Sequence, residues 1–149
     1  MPVHPNENLI RKLYSAFNDR NFDEATKLVS DNFEWLDVAT GEVYRGPPGV
    51  RQFMEHWANA FKDAKVEIKR VVATDDSFAA EFLGRGTHTG ALESPTGTIP
   101  PTKRRIELPC CEVGTIEKGK IRSGSTYYDA ATIMHQLGLT VSEPAGAHR

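Results

Sequence analysis

Asp129, His88 and Asp37 are the residues whose type and spacing permit proton-transfer chemistry. Asp129 closes a stretch in which Ile121, Ser123, Ser125 and Tyr127 share its face under a two-residue period. A carboxylate in an apolar pocket has a raised pKa and can take a proton from a carbon beside a carbonyl. The same residue directly precedes Ala130-Ala131-Thr132 and can instead cap a helix, which favours its charged form and opposes a tuned base. His88 follows Phe78, Ala80, Phe82, Gly84 and Gly86 on a face that narrows to glycines, as in a strand lining a pocket. There it can donate to a developing enolate or exchange protons near neutral pH; the alternative is a core histidine bonded to a carbonyl or to Asp129. Asp37 shares a face with Phe33 and Trp35, and reads either as a pocket carboxylate or as a turn residue beside Thr40-Gly41. Trp35, Tyr14, Trp57 and Tyr127 are candidates to hold a substrate, although aromatic stripes such as Trp57, Tyr127 and Phe53 usually pack as core. Pro109 points to a bulge that leaves open which way Cys111 and Glu112 face.

The elements that must position these groups are legible in the spacing. Leu9, Ile10, Leu13, Tyr14 and Phe17 recur as on one face of a helix. Asn21, three residues before Glu24, opens a second, shorter helix whose greasy side is Phe22, Ala25, Leu28 and Val29. The period changes to two at Phe33, and a hairpin turn follows at Thr40-Gly41. Pro47-Pro48 starts a third helix with Val50, Phe53, Met54, Trp57 and Phe61 on its buried stripe. Strands are expected at 64–74, 78–89, 103–117 and 120–128, with antiparallel pairing across the short turns Asp75-Asp76 and Lys118-Gly119. Residues 90–102 read as a long loop, and 130–137 as a last helix stopped by Gly138. The polar tail 140–149 is expected to fray. Helices thus segregate from an antiparallel sheet, which defines an α+β class in a single domain, 1–149, with its core at about 7–139.

Composition excludes several functions. The 149 residues are 39% hydrophobic and 26% charged, with a formal net charge of −2. That is an ordinary globular balance without the basic patch a nucleic-acid binder needs; Lys103-Arg104-Arg105 is short and reads as a solvated strand end. No apolar run approaches the roughly 20 residues of a membrane span. The opening residues lack the charged-then-apolar layout of a signal peptide, so a cytoplasmic protein is expected. The adjacent Cys110 and Cys111 suit neither a disulfide nor a metal knuckle and are expected to be reduced packing residues. His4, His56, His135 and His148 have no metal-like spacing and are expected at the surface or an edge. Gly84, Gly86 and Gly90 do not make a dinucleotide fingerprint, and there is no phosphate loop or nucleophile elbow. The expectation is a site with no metal and no cofactor.

Three groups of residues carry a resemblance. Tyr44-Arg45-Gly46-Pro47-Pro48-Gly49-Val50-Arg51-Gln52-Phe53, with Trp57 and Phe61, resembles the third-helix signature of SnoaL-like polyketide cyclases, in the nuclear-transport-factor-two-like superfamily. Gly86-Thr87-His88-Thr89-Gly90 and Pro95-Thr96-Gly97 resemble their central strand and loop. Gly119-Lys120-Ile121, Tyr127-Tyr128-Asp129 and Gln136-Leu137-Gly138 resemble their end, so that the likeness spans about residues 7–139. The resemblance implies a cone-shaped curved antiparallel sheet, an α+β barrel, with the N-terminal helices over its concave face and a small apolar molecule in its pocket. It implies a cyclase or isomerase that uses aldol or enolisation chemistry without a cofactor, with Asp129 near the cyclases' acid/base aspartate. Against the superfamily's ketosteroid isomerases, Asp37 and Tyr14 match the places of the base and the oxyanion tyrosine. The later strand offers Cys110-Cys111 where those enzymes have a protonated Asp, so steroid isomerisation is not expected. An epoxide-hydrolase-like role would require Arg104 or Arg105 to point inward. A binding or structural domain without turnover is the other alternative, since fold does not decide function. The resemblance also implies a homodimer formed through the sheet face.

Overall fold

The computed structural model describes residues 3–139; the expectation for the tail at 140–149 lies outside the described residues. Helix α1 (Pro5–Asn18) starts where His4 accepts a hydrogen bond from the Asn6 amide, and it buries Ile10, Leu13, Tyr14 and Phe17. Helix α2 (Phe22–Lys27) is capped by the Asn21 side chain on the Glu24 amide, the cap that the spacing predicts. It ends at Lys27, and Val29 already belongs to strand β1 (Val29–Asp37). Strand β2 (Val43–Arg45) leads into α3 (Gly46–Ala60), whose first turn holds the two prolines. Then come β3 (Lys65–Ala73), β4 (Ser77–Thr87), β5 (Leu92–Ser94), β6 (Gly97–Ile99), β7 (Arg105–Glu117), β8 (Lys120–Tyr128) and α4 (Ala130–Gln136).

Six strands form one curved sheet in the order β2-β1-β8-β7-β4-β3, and the expected α+β class holds. The sheet is antiparallel except between β1 and β8, which run parallel; α3 and the strands after it provide the long crossover such a pair needs. Its edges β2 and β3 do not meet, so it is an open cone rather than a closed barrel. Helices α1 and α3 cover the concave face, α1 against β3 and β4 and α3 against β1. The expected loop at 90–102 contains a small hairpin, β5 with β6, which leans on α3. No helix among the described residues is long and apolar enough to cross a membrane.

Two register details decide which side chains face inward. Pairing between β4 and β7 runs unbroken from Ser77↔Thr115 to Thr87↔Arg105, so Pro109 causes no bulge there. On its other side Pro109 lies one residue past the last β8 partner, Cys110↔Tyr128, where strand pairing has ended. Ile106, Leu108, Cys110, Glu112 and Ile116 therefore share the inner face. Strand β8 does carry a bulge: Ile116 pairs with Ile121 but Thr115 with Ser123, leaving Arg122 unmatched. One extra residue reverses the alternation. After Ile121 the inward residues are Gly124, Thr126 and Tyr128, while Ser123, Ser125 and Tyr127 face out.

Candidate active site

The concave face and the two covering helices enclose a cavity of about 120 Å³ lined almost wholly by apolar atoms. Phe17 from α1, Phe53 and Trp57 from α3, Phe82 from β4 and Leu108 from β7 form much of its wall. Its size is of the order of the ~150 Å³ apolar cavity known to admit benzene. Trp35 lies flat over Gly124, where a Cβ would stand 2.3 Å from the indole, so only glycine permits this stacking. Trp35 and Trp57, the only tryptophans of the chain, both line the cavity.

One acidic group lies inside. Glu112 on β7 is 5% exposed and accepts two hydrogen bonds, from the Tyr14 hydroxyl at 2.7 Å and from the Thr126 hydroxyl at 2.6 Å. Thr126 in turn accepts from the Trp35 indole N–H at 2.7 Å, so its own proton is free to point at Glu112. Burial pushes Glu112 up to about 7; the two donors oppose the rise and the neighbouring Asp37 carboxylate adds to it. Burial, and then the Glu112 carboxylate, holds the Tyr14 hydroxyl well above the usual phenol range. Cys110 also lines the cavity, but burial pushes its thiol up, which makes it a packing group rather than a nucleophile.

Asp37 ends β1 and is 1% exposed. Its Oδ2 accepts from the Tyr128 hydroxyl at 3.1 Å, while Oδ1 has no hydrogen-bond partner. Burial raises its pKa, against the Tyr128 bond, the nearby amides of Thr40 and Ala39, and His56. Tyr128 lines the cavity and so stands between it and Asp37. The register Asp37↔Thr126 and Thr126↔Glu112 puts the two carboxylates on neighbours of one central strand, β8.

The expected site residues divide. Tyr14, Trp35 and Trp57 line the cavity, and Asp37 lies buried behind its wall. Asp129 does not reach it: its oxygens accept from the Ala131 amide and the Thr132 hydroxyl, both at 2.9 Å, and cap α4. Those bonds hold its carboxyl below the usual range, the opposite of a base tuned by burial. Tyr127 is 47% exposed on the outer face because of the Arg122 bulge, and Tyr128 occupies the inner position instead. His88 is fully buried with its ring centroid 5.3 Å from Phe61, and of the two only Phe61 lines the cavity. Its Nδ1 accepts from the Thr102 amide at 3.1 Å, which ties the end of β4 to the segment before β7. Arg104 and Arg105 are both exposed, so neither supplies an inward arginine. Glu112, Thr126 and Tyr128 are the members that sequence reasoning did not place; the signal for Glu112 was its apolar alternation with Ile106, Leu108 and Ile116.

A family model of SnoaL-like polyketide cyclases matches residues 7–137. No curated protein matches the chain. Among solved structures, a candidate SnoaL-like polyketide cyclase from Jannaschia sp. CCS1 is similar with a TM-score of 0.81 at 14% identity, over 95% of this chain and 97% of that one. IdmH, a candidate polyketide cyclase from Streptomyces antibioticus, is similar with a TM-score of 0.74 at 24% identity, over 91% and 99%. A hypothetical protein with a ketosteroid isomerase-like fold from Catenulispora acidiphila DSM 44928, in complex with trimethylamine, reaches 0.74 at 17% identity, over 88% and 92%.

Proposed function

The chain belongs to the SnoaL-like polyketide cyclase family, and from that premise we propose that it catalyses enolisation or aldol ring closure of an apolar, carbonyl-containing metabolite with its own side chains as acid and base. The observation that carries this reading is the Tyr14–Glu112 bond inside an apolar cavity. Burial raises both Glu112 and Asp37, and carboxyl groups so raised are suited to acid and base work near neutral pH.

The donor chain gives the roles a direction. When Glu112 is ionised, Tyr14 donates to it and is occupied. When Glu112 carries a proton, Thr126 still donates to Oε2, so the proton sits on Oε1 and is donated to the Tyr14 oxygen. The Tyr14 O–H is then free to turn to a substrate carbonyl and stabilise the enolate oxygen as charge develops there. Asp37, its basicity raised by burial, takes the proton from the adjacent carbon once substrate has displaced Tyr128 from Oδ2. In an aldol closure the enolate carbon attacks a second carbonyl of the same molecule, whose oxygen takes the proton that Asp37 removed, and Asp37 returns to carboxylate.

The test uses a panel of small neutral cyclic ketones in deuterium oxide, followed by NMR. Exchange of the hydrogen beside the carbonyl, lost by roughly 100-fold or more in Tyr14→Phe, which removes the oxyanion donor, while binding persists, is the expected outcome. Ketones that bind and never exchange would leave a carrier or binding domain as the function.

A further inference from the structure

Asp37 is hydrogen-bonded to a wall residue of each of two cavities of opposite character. On one side, Oδ2 meets Tyr128, which lines the apolar cavity. On the other, Thr40, Glu42, Tyr44 and His56 line a polar recess of about 230 Å³ that Glu93, Ser94 and Pro95 of the β5–β6 segment close from outside. The Asp37 backbone adjoins that wall, since its amide donates to the carbonyl of Glu42, one of the lining residues. Oδ1 is buried without a partner. A buried carboxylate oxygen without a partner calls for water, and the recess that adjoins the Asp37 backbone holds several molecules at roughly 10–15 Å³ each.

The apolar cavity offers a proton on Asp37 no way out. Its wall is almost entirely carbon, and the Tyr128 hydroxyl, held by burial and by Asp37 well above the usual phenol range, does not ionise near neutral pH. The recess does offer one. His56 on α3 is a half-buried imidazole packed edge-on to Trp57 at 5.2 Å. The groups that face it from the packed elements are Asp37 on β1, Glu42 in the β1–β2 turn, Tyr44 on β2 and Glu93 on β5. Asp37, Glu42 and Glu93 support its protonated form, while burial, the larger effect, keeps it neutral and ready to accept. Asp37 and His56 act on each other, since each is among the charges that shift its partner.

We infer that His56 passes protons between Asp37 and solvent through water in this recess, so that the site has a greasy side for substrate and a separate wet path for protons. The inference rests on the reading of Asp37 as the base. A proton gained at Asp37 moves from its carboxyl to a recess water, that water gives one to the neutral His56 ring, and the imidazolium loses it to bulk solvent. Asp37 returns to carboxylate, and no other group changes state. His56 acts through Asp37 and is a positioning and relay residue, not one that touches substrate.

The test needs no substrate and so stands apart from the ketone assay. The Tyr128 hydroxyl proton, bonded to Asp37, exchanges with water through the same path, and NMR reads its rate. In His56→Ala this exchange should slow by roughly ten-fold or more and recover with added imidazole. His56→Gln, which keeps a polar side chain of similar reach, should also slow it without loss of fold. The Tyr14 hydroxyl, bonded to Glu112 in the other network, should be unaffected and serves as an internal control. An unchanged Tyr128 rate in both variants, or equal slowing of Tyr14, would overturn the relay. A failure of the ketone exchange with the Tyr128 result intact would refute the catalytic reading alone.

Discussion

Tyr14 and Glu112 lie 98 positions apart in the chain and 2.7 Å apart in the fold, and the bond between them reverses when Glu112 takes up a proton. Ionised, the carboxylate captures the phenol; neutral, it releases the phenol to the cavity. On the proposed mechanism, that single exchange makes turnover a function of pH.

Tyr14→Phe removes one of the two donors to the carboxylate and leaves the ring packed 5.1 Å from Phe82. Losing a donor to the charged form raises the pKa of Glu112 above about 7. Carbon-13 NMR of the carboxyl should show that rise, with a stability loss of roughly 1–3 kcal/mol for the oxygen left unpaired. An unshifted titration would mean that the bond does not form in solution.

Stability should fall as pH rises, through Glu112. Folded Glu112 binds its proton more tightly than unfolded Glu112, so the native state holds more protons between the ordinary value of 4.5 and about 7. The contribution is full below 4.5, declines across that window and is gone above about 7. A rise of that size corresponds to on the order of 3 kcal/mol. Urea unfolding of the wild type and of Glu112→Gln at several pH values isolates the slope; parallel curves would count against a buried neutral carboxyl.

Gly84 lines the cavity, and a Cβ built there meets nothing closer than the Leu108 carbonyl at 3.8 Å. Gly84→Leu should therefore fill the cavity at little cost to the fold. Because both tryptophans line the cavity, their fluorescence reports its occupancy, and titration with an apolar ketone should lose its signal in this variant. Full binding by Gly84→Leu would place the ligand elsewhere.

Asp129→Ala should lower the melting temperature through loss of the α4 cap, and Asp129→Asn, which can still accept from the Ala131 amide, should largely restore it. Neither should change ketone exchange. A variant that kept its melting temperature but lost exchange would return Asp129 to the catalytic role.

We infer that two copies pair through the outer face, where Val43, Leu36, Val113 and Tyr127 on adjacent strands are exposed. Light scattering at micromolar concentration should give twice the chain mass, and Leu36→Lys should shift it towards the monomer. A wild type that scatters as a monomer would refute the pairing.

Much of this protein was legible before folding, because local patterns carry local information. The helical stripe through Ile10, Leu13, Tyr14 and Phe17, the Asn21 cap and the alternation of Phe33, Trp35 and Asp37 each lie within a few residues of chain. They determined the elements, the α+β class and the inward side of α1, α3 and β1, and with these the placing of Tyr14, Trp35 and Trp57. What remained depended on registers between distant strands. An unmatched Arg122 turned Tyr127 out and Tyr128 in, and an unbroken β4–β7 ladder turned Glu112 in despite Pro109. The parallel pairing of β1 with β8 then brought Asp37 beside Thr126. A strand's alternation says which residues share a face, but a single bulge changes which face that is, and only the neighbouring strand decides whether the bulge exists. The acid in the cavity wall was therefore a matter for the tertiary structure.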